Sequence, residues 1–177
     1  IRTVTEDAAA RRVSVTALLA VEQPVEGMPV RVLVDEEPVV EDVLDLDANV
    51  HELATTIELP EAELWSPERP WLHEVRVTFG DDDLRERFGI RQVRTDGRRI
   101  LVNDEPVRLL GFCRHEAHPD FGHAVPPAIQ TSDVQLLQKM GANFIRGSHY
   151  PQDPLLLDLC DEMGLMVWSE SIGWQHT

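Results

Sequence analysis

From Arg12 to about Arg91 apolar and polar residues alternate with a period of two. Val13, Val15 and Ala17, then Val30, Val32 and Val34, then Leu53, Thr55, Ile57 and Leu59, then Val75, Val77 and Phe79 each line one face of a segment five to eight residues long. This is the signature of a strand buried on one side only. Turn-forming stretches separate them: Glu26-Gly27-Met28-Pro29, Asp35-Glu36-Glu37-Pro38, Ser66-Pro67-Glu68-Arg69-Pro70 and Gly80-Asp81-Asp82-Asp83. Six or seven short strands in about 90 residues have the length and rhythm of an immunoglobulin-like β-sandwich.

After Arg91 the pattern changes. Ile100-Leu101-Val102, a turn at Asn103-Asp104-Glu105-Pro106 and the segment Val107 to Leu110 predict a short hairpin running into an apolar strand. Residues 131–140 predict a helix capped by Thr131 or Ser132, with Val134, Leu136, Leu137 and Met140 as its apolar stripe and Gly141 as its left-handed stop. A brief strand follows at Asn143 to Arg146. A second helix is capped by Asp153, has Pro154 at its first position, turns Leu156, Leu157, Cys160 and Met163 inward, and ends at Gly164. The continuous apolar run Leu165-Met166-Val167-Trp168 completes a βαβαβ series with buried-type strands. A closed eight-stranded (β/α) barrel takes about 250 residues. Residues 91–177 number 87 and supply three strands and two helices. The expectation is an excerpt of a longer polypeptide, with a small three-stranded open sheet as the alternative.

Charge narrows the classes of function. Asp and Glu number 32 against 16 Lys and Arg, a net charge of −16, which repels phosphate backbones and anionic membrane surfaces, so neither nucleic acid nor membrane is an expected partner. Residues 1–92 hold 21 acids against 9 bases, so most of the excess belongs to the solvated faces and turns of the sandwich. Lys139 is the only lysine beside 15 arginines, the mark either of a GC-rich coding bias or of adaptation to high salt. No run approaches the roughly 18 apolar residues of a membrane span. No export signal is visible, so a cytoplasmic location is the default, with any upstream signal lying outside the chain. Cys113 and Cys160 are too few for a disulfide framework and match no zinc spacing; both are expected to be free, buried thiols.

Residues 143–168, NFIRGSHYPQDPLLLDLCDEMGLMVW, resemble the signature of glycoside hydrolase family 2, the family of β-galactosidases, β-glucuronidases and β-mannosidases. Asn143, Arg146, His149, Tyr150, Pro151, Asp161 and Gly164 fall on the pattern; Gly147 departs from it, since a Ser, Thr, Ala, Cys or Asn is usual there. Upstream, NDEPVRLLGFCRHEAHPDFG resembles the family's first barrel strand, and LWSPERPWLHEVRV with RFGIRQV resembles the end of the immunoglobulin-like domain before the barrel. The resemblance implies two domains: a sandwich over 1–92, and over 93–177 the first three strands and two helices of an incomplete (β/α)8 barrel.

It also implies retaining hydrolysis of terminal β-glycosidic bonds by two glutamates about 5 to 5.5 Å apart, on later barrel strands. No catalytic residue is therefore expected in this chain. Arg146 resembles the arginine that orients and ionises the nucleophile carboxylate, a task suited to a bidentate, always protonated donor. His115 and His149 resemble histidines that hydrogen-bond sugar hydroxyls, and Glu170 resembles a glutamate after the third strand, preceded here by Ser169 where Asp is frequent. Trp174 is read either as a stacking platform for a sugar ring or as a cover over the barrel mouth. Some β-galactosidases of the family bind magnesium through a Glu and a His just past that strand. Trp174 stands where the Glu would be, although His176 lies near the right place, so no cofactor is expected and magnesium is a minor alternative. His115, His118 and His123 lack a third ligand at zinc spacing. The expected partner is a β-glycoside, with homo-oligomerisation through the open sheet edge. The rival readings are a non-catalytic sandwich module that binds carbohydrate or protein, and a degenerate hydrolase.

Overall fold

The computed structural model describes residues 1–171, which divide into two compact units: Ile1–Leu64 with Trp71–Val93, and Trp65–Pro70 with the chain from Arg94 onward.

The first unit is an immunoglobulin-like β-sandwich of seven strands: β1 (Arg2–Asp7), β2 (Arg12–Ala20), β3 (Val25–Val34), β4 (Glu37–Leu46), β5 (Val50–Glu58), β6 (His73–Phe79) and β7 (Asp82–Phe88). Antiparallel pairing gives one sheet in the order β1-β2-β5 and another in the order β4-β3-β6-β7. The alternation in the sequence becomes the core. Val13 and Val15 of β2, Val30 and Val32 of β3, Ile57 of β5 and Val75 of β6 are all buried in one cluster, and Val32 lies opposite Val77, Val34 opposite Val75. A single residue of slip would turn all of these into solvent, so the pattern fixes the register. The edge strand β7 is exposed at six of its seven positions. It is held on its outer face by ion pairs, Arg76 to Asp83 at 2.6 Å and Arg85 to Glu36 and Glu74 at 2.7 Å each, and such charged edges resist pairing with other chains. The buried His73 places Nδ1 2.7 Å from Asp35 Oδ2 and Nε2 3.0 Å from the Glu63 carbonyl. The predicted turn at Glu26–Pro29 is instead a bulge within β3. Gly27 has a φ of +64 and its N–H donates to Asp45 Oδ1, while the pairing with β4 shifts register between Val25 and Met28.

The second unit opens with an antiparallel sheet of β8 (Val93–Asp96), β9 (Arg99–Val102) and β10 (Glu105–Val107), in which Asn103 and Asp104 make a two-residue hairpin with both φ values positive. A parallel sheet follows, ordered β11 (Gly111–Arg114), β12 (Phe144–Gly147) and β13 (Met166–Trp168), with α1 (Pro127–Lys139) and α2 (Pro154–Met163) in the crossovers. This is the opening of a (β/α) barrel. The apolar strand expected at Val107 to Leu110 divides: β10 ends at Val107 and the first parallel strand starts at Gly111. Gly111 is required there, because a Cβ would collide with the Phe144 carbonyl oxygen on the neighbouring strand.

Helix α1 starts four residues before the sequence suggests, with Pro127 in the first turn after the extended Pro126. Thr131 and Ser132 are therefore not caps; their hydroxyls donate back to the Pro127 and Ala128 carbonyls. Val134 is buried as expected, but Leu136 and Met140 are exposed. Helix α2 matches its expected ends: Asp153 Oδ1 accepts the Leu155 N–H at 2.8 Å, and Gly164 takes the left-handed conformation. Val134, Ile145, Leu156, Leu159, Cys160 and Leu165 form the core between these helices and the sheet. Cys160 lies in it and burial pushes its thiol up to about 12. Cys113 corrects its expectation of burial: it is free but exposed, on the sheet face away from the helices. The segment Trp65–Pro70 docks in this unit, where the buried Trp65 donates its indole N–H to the Asp161 carbonyl at 2.7 Å and accepts at its own carbonyl from Asn103 Nδ2 at 2.9 Å. No helix among the described residues is long and apolar enough to cross a membrane.

Two outcomes follow. Gly111→Ala is expected to cost about 3 kcal/mol of stability by overpacking, against about 1 kcal/mol for Gly97→Ala, whose positive φ is strained but whose surroundings are open. Thermal or urea denaturation measures both, and equal costs would contradict the strand register. In this chain, when folded, a thiol reagent is expected to modify Cys113 rapidly and Cys160 only after unfolding; two fast thiols would contradict the helix-sheet core.

Candidate functional site

Parallel strands with alternating helices bring their following loops to one end of the sheet, where such folds build their sites. His115 follows β11, the segment from Ser148 follows β12, and Ser169-Glu170 follows β13. Register determines which side chains share a face. Cys113, Arg146 and Trp168 lie side by side across the three strands. They point away from the helices, while the neighbouring Ile145 is buried among them.

Glu170 is the junction. Its Oε1 accepts from Arg146 Nε at 2.6 Å and its Oε2 from His149 Nδ1 at 2.8 Å. His149 Nδ1 lies 3.5 Å from an Arg146 terminal nitrogen, and its ring meets His115 edge to face with centroids 5.4 Å apart. A donor at Nδ1 makes Nε2 the acceptor in the neutral ring. The His149 hydrogen bond, and next the Arg146 guanidinium, hold the Glu170 carboxyl below its ordinary value. Glu170 in turn holds the Arg146 guanidinium above its own, so the arginine stays charged. The arrangement is a carboxylate with both oxygens occupied by donors, beside two imidazoles able to exchange hydrogen bonds with hydroxyl groups.

The structure thus brings together Arg146, His149, Glu170 and His115 of the sequence-expected site. Trp174 lies outside the described residues, as does His176. His118 and His123 turn to other partners: His118 packs on Phe121 at 5.0 Å and accepts the Asp120 N–H, and His123 meets Tyr150 edge on at 6.2 Å. No group of three or more metal-ligating side chains occurs among the described residues. The departure at Gly147 has a local cause. A Cβ there would lie 2.6 Å from Cγ of the buried Gln152, so the Gln152 side chain occupies the space a larger residue would need. The sequence reading missed Trp168, which is exposed beside Arg146. Its parity with Glu170, two residues on, was the available signal. It also assigned no role to Glu116 and Tyr150, although both stand in the quoted motifs; the Glu116 N–H donates to the Tyr150 hydroxyl at 2.8 Å.

Comparison with known proteins agrees with this architecture. Residues 2–91 match "Glycosyl hydrolases family 2" and residues 93–177 match "Glycosyl hydrolases family 2, TIM barrel domain". A β-galactosidase of Thermoanaerobacter pseudethanolicus is 34% identical over 174 residues, covering 93% of this chain and 23% of the relative. A β-galacturonidase of Eisenbergiella tayi, solved with galacturonate bound, superposes with a TM-score of 0.78 at 37% identity, over 90% of this chain and 29% of that one. A β-glucuronidase of Bacteroides uniformis gives a TM-score of 0.82 at 27% identity, over 96% and 22% respectively. The chain spans under a third of the length of each of these relatives. With both domains matched in order, and with the strand-end cluster carried on the matched barrel segment, the chain belongs to glycosyl hydrolase family 2.

Proposed function

We propose that this chain supplies the binding and support side of a retaining β-glycosidase site, acting on terminal β-galactosides or β-glucuronides. The observation that carries the reading is the convergence of Arg146, His149, Glu170 and His115 at the ends of three parallel strands. Arg146 spends Nε on Glu170, and the terminal N–H groups of its planar guanidinium suit a second carboxylate, that of a nucleophile on a later barrel strand. There it would keep the nucleophile ionised and aimed. His149 and His115 offer imidazole nitrogens to sugar hydroxyls, with Glu170 fixing the His149 ring. Trp174 is proposed either to stack on a sugar ring or to cover the barrel mouth. The catalytic pair, an acid/base and a nucleophile about 5 to 5.5 Å apart, belongs in this reading to later strands, and no step of the chemistry is assigned to a metal.

The chain alone is therefore expected to give no turnover of nitrophenyl β-galactoside or β-glucuronide; turnover abolished by mutating one of its residues would overturn this assignment. In a polypeptide that joins it to the later strands, Arg146→Ala is expected to lower kcat by about 10²- to 10³-fold, the scale of one preorganised charge-stabilising donor. A kcat within twofold of wild type would defeat the role given to Arg146.

The array also has a pH limit. Because the folded protein holds the Glu170 carboxyl below its ordinary 4.5, the stability that comes from its ionised form is complete above that value. It is lost as pH falls through the lowered midpoint. A carboxyl titration followed by NMR is expected to place Glu170 below the ordinary glutamate range, with His149→Ala raising it further than Arg146→Ala. An ordinary midpoint in the wild type would contradict the geometry of the site.

A further inference from the structure

His149 sits in a short segment between β12 and α2, and that segment is fastened at three points to residues 114–116, the strand end and loop of β11. At its start the Ser148 N–H donates to the Arg114 carbonyl at 2.9 Å. In its middle the Tyr150 hydroxyl accepts the Glu116 N–H at 2.8 Å. At its end the Asp153 N–H, belonging to the residue that caps α2, donates to Glu116 Oε1 at 3.0 Å. Two of the three fastenings are made by Glu116, whose side chain is 15% exposed. Its carboxylate lies 3.6 Å from the largely buried Arg114 guanidinium, which is itself held from α1 by Asp133 at 3.2 Å. A largely buried carboxylate facing a charged guanidinium is costly to move, so this is a stiff attachment point. The start of the segment cannot shift without breaking its bond to the Arg114 carbonyl, nor its end without breaking the bond to Glu116.

We infer that Glu116 is a positioning residue: by fastening the His149–Asp153 segment to the end of β11, it sets the His149 ring on Glu170. It touches no substrate in this account and acts through His149. Its consequence for sugar recognition rests on the function proposed above, whereas its effect on Glu170 does not.

The test uses the whole chain and reads the carboxyl titration midpoint of Glu170, which reports whether His149 is in place. Glu116→Ala is expected to raise that midpoint, as loss of a close donor does, in the same direction as His149→Ala. Glu116→Gln keeps an oxygen for the Asp153 N–H and is expected to restore most of the wild-type value. A role confined to stability would lower the melting temperature and leave the midpoint unmoved, and that result in a folded Glu116→Ala protein overturns the inference. Should the alanine variant not fold, Tyr150→Phe removes one fastening without changing charge; a smaller rise in the same direction supports the inference and an unchanged midpoint overturns it. Calorimetry of the wild type with methyl β-glucuronide and methyl β-galactoside separates the two proposals. No heat with either sugar, together with a Glu170 midpoint that follows Glu116, defeats the proposed function and supports the positioning role.

Discussion

The parallel register of β11, β12 and β13 is the constraint on which the rest of the barrel unit depends. Gly111 lies against the Phe144 carbonyl with no room for a side chain. From that close approach follow the pairings of Cys113 with Arg146 and of Arg146 with Trp168. Because side chains alternate, the same register sends Ile145 into the helical core and Arg146 to the opposite face. It also brings the loops after the three strands to one end. A shift of one residue would bury the guanidinium and expose the isoleucine, so packing energy and site geometry are set by one fact.

On that frame the site is held by polar groups whose partners lie on neighbouring strand ends and loops. Glu170 joins the second and third loops through Arg146 and His149, and Glu116 joins the first and second through Asp153 and Tyr150. The Glu170 carboxylate accepts from two donors, and Glu116 accepts the Asp153 N–H at its carboxylate while its own N–H donates to the Tyr150 hydroxyl, which restrains orientation as well as position. Such preorganisation holds the donors and acceptors in place before any ligand arrives. The sandwich is acidic for a separate reason. Its charge lies on exposed strand faces and turns, much of it paired with arginine.

The central strands of the sandwich were legible because Val13, Val15, Val30, Val32, Val75 and Val77 keep a strict period of two with one face buried. The edge strands were not, since β4 and β7 carry little apolar alternation and owe their conformation to pairing with β3 and β6. The bulge at Gly27 looked like a turn because glycine and proline mark both. Helix α2 was legible from its caps, whereas α1 hid its start behind Pro126-Pro127 and carries exposed Leu136 and Met140 on what the sequence suggested was an inner stripe. Trp65–Pro70 reads as turn material within a stretch resembling the end of the immunoglobulin-like domain; its destination beside Asp161 and Asn103 depends on contacts far along the chain. Within the site, Arg146, His149, Glu170 and His115 were found through a motif. Trp168 stands beside Arg146 through cross-strand register, and Glu116 is placed by hydrogen bonds to Tyr150 and Asp153 more than thirty residues away, neither of which a single sequence displays directly.

The function proposed for these strand ends is a sugar site preset to hold a carboxylate. Chemical-shift mapping of the labelled chain during titration with methyl β-glucuronide or methyl β-galactoside tests it most directly. The account expects saturable shifts centred on the rings of His115 and His149 and on Nε of Arg146, with the sandwich unchanged. Saturable shifts confined to the sandwich, or none at millimolar sugar, would contradict it.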